Sequence, residues 1–186
     1  MRRPAQKLTF SCLDVWLRTH LPEFVPVSPP LPPGWRAYAW IVAPDLTVYV
    51  IIGCSASEEH FVVEVGWSSS GQFPDELAGH LLPDEFGRWR PHEPVNGGLR
   101  FRLTEFVPNP PRASFDLEWD VILGTRCDQR HADGPRPNAT MSSVAACIED
   151  AFEIVRQFAF PYISHRTGID IPCTWDRAPS LPHRRQ

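Results

Sequence analysis

The sequence predicts an α+β domain: a single antiparallel sheet of about five strands, with an N-terminal and a C-terminal helix packed on one of its faces. Three observations carry this. Segments dense in β-branched and aromatic residues follow one another instead of alternating with helices. Short turns, not crossovers, separate the first of them. The two segments with helical apolar spacing stand at the two ends of the array. Strands in runs with flanking helices are the mark of α+β architecture.

The first helix is expected from about Leu13 to His20, with Ser11 as N-cap and Asp14 as a weaker form of the capping-box acid. Phe10 and Val15 are placed to form a hydrophobic staple, and Leu13, Trp16, Leu17 and Leu21 recur on one face. Pro22 ends the helix. Five prolines between Pro26 and Pro33 then read as a rigid connector that joins neither ladder nor helix.

Three strands follow: Arg36 to Ala43, Leu46 to Gly53 and His60 to Trp67. Pro44-Asp45 and the stretch from Ser55 to Glu59 supply the turns of an antiparallel meander. The first two strands are apolar on both faces, which predicts central strands with something packed on each side. Asp75 to Leu82 reads as a short helix with Pro74 at its first turn, and the stretch around Trp89 as loop. Leu99 to Phe106 and Phe115 to Leu123 read as two more strands, followed by a polar loop from Gly124 to Thr140. The last helix runs from Ser142 or Ser143 to Ala159. Val144, Ile148, Ala151, Phe152, Val155 and Phe158 form its apolar stripe, and Pro161 terminates it. Residues 1–175 make a single domain and 176–186 a flexible polar tail.

The last two strands suggest a pairing. Leu99, Phe101 and Leu103 alternate with Arg100 and Arg102, while Trp119 and its apolar neighbours alternate with Asp116, Glu118 and Asp120. A hairpin that sets Arg102 opposite Glu118 and Arg100 opposite Asp120 also sets Phe101 opposite Trp119. One register thus satisfies both faces. It leaves Asp116, Glu118 and Asp120 on the solvent face. That face is either a solvated surface with internal ion pairs or an acidic docking surface for a basic partner.

Composition sets outer bounds. A chain of 186 residues fits one domain that buries roughly 70% of its unfolded surface, so it needs neither disulfide nor metal to fold. The net charge of −4 speaks against a general nucleic-acid binder. Five cysteines, an odd number without a CxxC pair, point to reduced thiols and a cytoplasmic setting. Asp14, Arg18 and His20 interrupt the first apolar stretch, so no signal peptide is expected, and no run is long enough to span a bilayer.

Phosphate-binding loops, a nucleophile elbow and a zinc-protease helix are all absent. Cys127-x3-His131, with Asp128 and Asp133 beside it, is the nearest approach to a metal motif. Structural zinc needs a second ligand pair, and His165 and Cys173 supply it only at loose spacing, so the stretch reads as solvated loop and no metal or cofactor is expected. Trp16, Trp40, Trp67 and Trp119 fall on apolar faces and read as core. Arg88-Trp89-Arg90 reads either as an interaction hot spot, since tryptophan and arginine dominate such sites, or as a tryptophan pinning a long loop to the sheet.

The opening helix SCLDVWLRTHL, the strand FVVEVGW, lone Trp89 and the closing helix running into FAFPYISH carry a family likeness. In these the chain resembles the bacterial domain of unknown function 4304 family, over about Leu8 to His165. The proline-rich insert and the Gly124 to Thr140 loop depart from that pattern. The resemblance implies no catalytic residues. It implies a non-enzymatic protein-binding domain, of which a toxin-neutralising immunity protein with a basic toxin as partner is the narrower form. The alternatives are a small-molecule-binding domain or enzyme with a pocket between sheet and helices, and a structural subunit.

Overall fold

The computed structural model describes residues 4–54, 60–74, 97–103, 118–120, 125–127 and 140–172, with backbone alone at 4–5, 118–120 and 125–127. The expected α+β plan is present: an antiparallel sheet with an N-terminal and a C-terminal helical layer sharing one face.

Helix α1 spans Pro4–His20, nine residues longer at its start than the spacing from Leu13 suggests. Ser11 therefore lies exposed inside the helix and caps nothing. The buried stripe continues back through Phe10 and Gln6, and Pro4 opens the helix at a position where a missing N–H costs nothing. Gln6, polar and therefore easy to read as loop, donates its amide to the Cys54 carbonyl at 3.2 Å. The staple is also replaced: Phe10 sits in the core while Val15 is 55% exposed.

Strand β1, Val25–Val27, lies inside the proline cluster and pairs antiparallel with β2, with Pro26 opposite Tyr38. An edge strand accepts proline where a central one does not, which is why the connector joins the ladder after all. The meander stands as expected to within a residue at each end: β2 is Trp35–Ala43, β3 Leu46–Cys54 and β4 His60–Ser68. Both predicted sides are covered. On one face Tyr38, Val48, Val50, Val63, Val65 and Trp67 meet the helices. On the other, Ala37, Ala39, Tyr49 and Ile51 are covered by Val27, Leu31, Trp35 and Phe73.

Trp35 stands opposite Gly53 in the β2–β3 register and lies over it. A Cβ at Gly53 would meet the indole at 2.6 Å. Replacing Gly53 by alanine is expected to cost about 1–3 kcal/mol, as overpacking does. A urea melt of G53A that coincides with the wild type would show that the indole moves aside freely.

The expected hairpin between the last two strands does not form. β5, Gly98–Arg102, pairs with β4, putting Phe101 opposite Val65 and Arg102 opposite Glu64. β6, Glu118–Asp120, joins the same edge of β4 further along, with Trp119 opposite Phe61 and Asp120 opposite His60. Its other edge takes β7, Thr125–Cys127, which lies within the stretch expected to be loop. Arg100 and Arg102 therefore do not face Asp120 and Glu118. Alternation decides which side chains share a face, but Val65 and Trp67 satisfy the apolar side of β5 as well as Trp119 would. The matching acid is Glu64, which is 2% exposed. Arg100 Nε lies 3.2 Å from Glu64 Oε2, off the line of its N–H, and Arg102 Nε lies 3.8 Å from Oε1.

The closing helix starts at Met141, one or two residues earlier than expected, with Thr140 as N-cap. Thr140 and Ser143 form a reciprocal capping box, each side chain bonding the other's backbone N–H. Helix α2, Met141–Ile154, buries Ile148 and Phe152 as its stripe predicts, and Val155 beyond it is buried too. Pro161 does not terminate the helix. A π turn, Val155–Ala159, intervenes, in which the Phe160 N–H bonds the Val155 carbonyl five residues back, and helix α3, Phe160–Thr167, follows. Proline lacks an N–H and its ring crowds the carbonyl four residues back. The widened turn just before Pro161 accommodates both. Gly168, at φ 71°, then ends α3 in the left-handed conformation that glycine adopts without strain.

The expected helix from Asp75 to Leu82, the loop around Trp89 and the tail 176–186 lie outside the described residues.

Candidate functional site

A cleft of about 570 Å³ opens at the β1 edge of the sheet, between α1, the proline-rich segment and the start of β2. It lies at the margin of the helix–sheet interface, where α1 crosses the edge of the sheet. Deeper between sheet and helices, among the described residues, Leu13, Val50, Phe101, Ala151 and Phe160 are fully or almost fully buried. The cleft's apolar walls are Leu17, Phe24, Val27 and Leu31, and Trp35 contributes beside them.

Its polar groups converge on one carboxylate. Asp14 faces inward from α1, one turn beyond Phe10. On β2, Arg36 and Tyr38 stand two residues apart and so point to the same face. The Tyr38 hydroxyl donates to Asp14 Oδ1 at 2.6 Å, and Arg36 Nη1 donates to Oδ2 at 2.9 Å. The other side of the Arg36 guanidinium lies over the Phe10 ring, 4.2 Å from its centroid, a cation–π contact. Arg18, one turn further along α1, donates Nε to the Asp14 carbonyl at 2.9 Å and reaches the cleft mouth.

The electrostatics follow from these contacts. Burial, then the hydrogen bond to Asp14, push the Tyr38 hydroxyl far above the ordinary tyrosine range. Burial pulls Arg36 down, but its bonds to Tyr38 and Asp14 outweigh that and raise it. Behind the cleft, burial pushes the Cys54 thiol up to about 12, against a smaller opposing pull from Arg36. The cleft thus presents a firmly protonated phenol, an arginine locked in place and a carboxylate with both oxygens engaged. The phenol proton and the Arg36 Nη1 donor are both committed to the Asp14 carboxylate.

A pH dependence follows. Cys54 and Tyr38 hold their protons more tightly in the folded chain than in the unfolded one. Their stabilisation is complete below the ordinary thiol value of 9.0 and is lost as pH climbs from there toward about 12. The urea midpoint is therefore expected to fall steadily above pH 9, and the Tyr38 share of the tyrosinate absorbance to appear only as the chain unfolds. A midpoint that stays flat through that window would contradict the burial of these groups.

Of the residues the sequence singled out, Arg88, Trp89, Arg90 and Asp116 lie outside the described residues, and for Glu118 and Asp120 only the strand backbone is described. Cys12, Cys54 and Cys147 are buried outside any disulfide; Cys12 donates to the Met141 sulfur at 3.4 Å, joining α1 to the start of α2. Among the described residues no three of His, Cys, Asp and Glu gather as a metal site. Sequence reasoning missed Asp14, Arg36, Tyr38 and Arg18. One signal was available: Arg36 and Tyr38 share the Trp40 face of β2, and a cation on a helix-covered face asks for an acid on the covering helix.

The described residues define an α+β domain with an open, partly cationic cleft at a sheet edge. No family model, no curated protein and no solved structure matches the chain. No helix among the described residues is long and apolar enough to cross a membrane.

Proposed function

We propose that this chain is a non-catalytic binding domain that docks another protein, and that the cleft beside β1 is its docking surface. The make-up of the cleft carries the reading. Trp35, Arg36, Tyr38 and Arg18 line one concavity, and tryptophan, tyrosine and arginine are the residues that dominate binding energy at protein interfaces. The wall formed by Pro26, Val27, Ser28 and Pro29 is stiffened by proline, so little chain entropy is lost when a partner orders it.

Docking through side chains suits this edge better than strand addition. β1 is three residues long, and Pro26 has no N–H to offer an added strand. The cleft carries the opposite sign from the surface a basic toxin would need. The reading therefore stays with protein docking and does not extend to toxin neutralisation.

The test is chemical crosslinking in a lysate of the native host, with the wild type and L31D as parallel baits. Leu31 lines the cleft from a loop and is only partly buried. A defined protein captured by the wild type and lost with L31D is the expected result. Identical capture by both baits, or none by either, would refute docking at this cleft.

A further inference from the structure

We infer that the cleft receives an acidic side chain carried, beside apolar residues, on an extended segment of the partner protein. This rests on the docking reading above and adds the chemistry of what is docked.

Among the described residues that line the cleft, the charges do not cancel. Two guanidinium groups, Arg18 and Arg36, meet one carboxylate, Asp14, in a chain whose net charge is −4. Asp14 has no oxygen to spare, because Tyr38 holds one and Arg36 the other. Arg36 gives Nη1 to Asp14 and is braced from behind by the Phe10 ring, yet its side chain stays 36% exposed. An arginine held in this way presents its remaining donors in a fixed fork, the geometry that recognises a carboxylate. Arg18 makes no ion pair among the described residues, and its Nε bond to the Asp14 carbonyl holds it at the mouth. One incoming carboxylate between the two cations would restore charge balance. Leu17, Phe24, Val27 and Leu31 would at the same time cover apolar neighbours on the incoming segment.

The shape selects a chain over a free acid. Small ligands are held in sites that enclose most of their surface, whereas this cleft is only half enclosed, which suits a segment that continues beyond it.

The probe is a fluorescein-labelled, amidated pentapeptide, leucine-proline-leucine-glutamate-leucine, titrated with the full chain and read by anisotropy. Its twin carries glutamine in place of glutamate. The glutamate peptide is expected to bind at least tenfold more tightly than its twin, and more weakly as salt is raised. R18E is expected to weaken it at least tenfold, and R18Q by less. Arg18 is exposed, and an unchanged circular dichroism spectrum certifies the fold of both variants.

Equal binding of the two peptides overturns the proposal, as does an R18E protein that binds like the wild type. Hexanoate that displaces the peptide at or below the peptide's own affinity also overturns it, since the site would then belong to a small acid. Should the glutamate peptide fail while crosslinked capture still depends on Leu31, docking stands and the acidic segment falls. Loss of the Leu31-dependent capture alone removes the docking reading instead.

Discussion

Truncating Phe152 to alanine is expected to remove about 3–5 kcal/mol of stability, the usual cost of emptying a buried phenylalanine site. Phe152 is 1% exposed and lies on the sheet-facing side of α2. Its ring stacks on Trp16 of α1 with centroids 4.2 Å apart, so the same side chain joins both helices as well as the core. The cavity left by F152A is bordered by a sheet on one side and a helix on the other, neither of which collapses easily. In a domain of this length the loss corresponds to a fall in melting temperature of roughly 6–20 °C. A measured loss below about 1 kcal/mol would mean that α2 does not pack as described.

The second large effect lies on the opposite face of the sheet. Glu64→Gln is expected to cost about 3 kcal/mol, the lower end of the range for breaking a buried ion pair. The carboxylate is 3% exposed, and the arginines beside it on β5, Arg100 and Arg102, are 16% and 30% exposed. Removing the acid leaves Arg100 with little access to water, whereas Arg102 can turn outward, which keeps the cost at the lower end. Combining E64Q with R100L should restore much of the loss, because the stranded cation is then gone too. A double variant no more stable than E64Q, measured by urea denaturation, would show that charge is not the cause.

The meander was readable because its residues speak in unison. Val48 to Ile52 are β-branched or aromatic without interruption, and Pro44-Asp45 leaves no structure but a turn between β2 and β3. The start of α1 was not, because Gln6 and Thr9 are polar by type yet buried, and only their spacing to Phe10 and Leu13 marks the stripe. β1 was hidden by Pro26, whose exclusion from ladders holds for central strands and lapses at an edge. The partner of β5 was missed for a different reason. Its arginines needed an acid and its apolar residues needed an apolar face, and both β4 and β6 offered these. Local pattern has no means of choosing between two such partners.

The cleft shows the same limit at a larger scale. Asp14 had a sufficient local explanation as a helix-start acid, and Arg36 and Tyr38 as the polar beginning of a strand. Only the packing of α1 across β2 makes one unit of residues 22 and 24 positions apart. Arg18 is equally unremarkable until that crossing places it at the cleft mouth.

The π turn at Val155–Ala159 acts as a phase shifter. Along α2 the buried stripe centres on 144, 148, 151 and 155, flanked by 147, 152 and 154, a spacing that would next reach 158 or 159 and then 162. Ala159, the last residue of the turn, still keeps to that stripe, but the fully buried residues beyond it are Phe160 and Ile163, each one position further on. Each residue advances a helix by about 100°, so the extra residue in the turn rotates the rest of the cylinder by that angle about its own axis. That rotation carries Phe160 to Phe24 and Trp40 at the sheet edge and leaves Tyr162 edge-on to Trp67 and Phe101. Two helical segments with incommensurate apolar stripes thereby share one target, and deletion of the exposed Gln157 would turn Phe160 and Ile163 out of the core without touching either contact face directly.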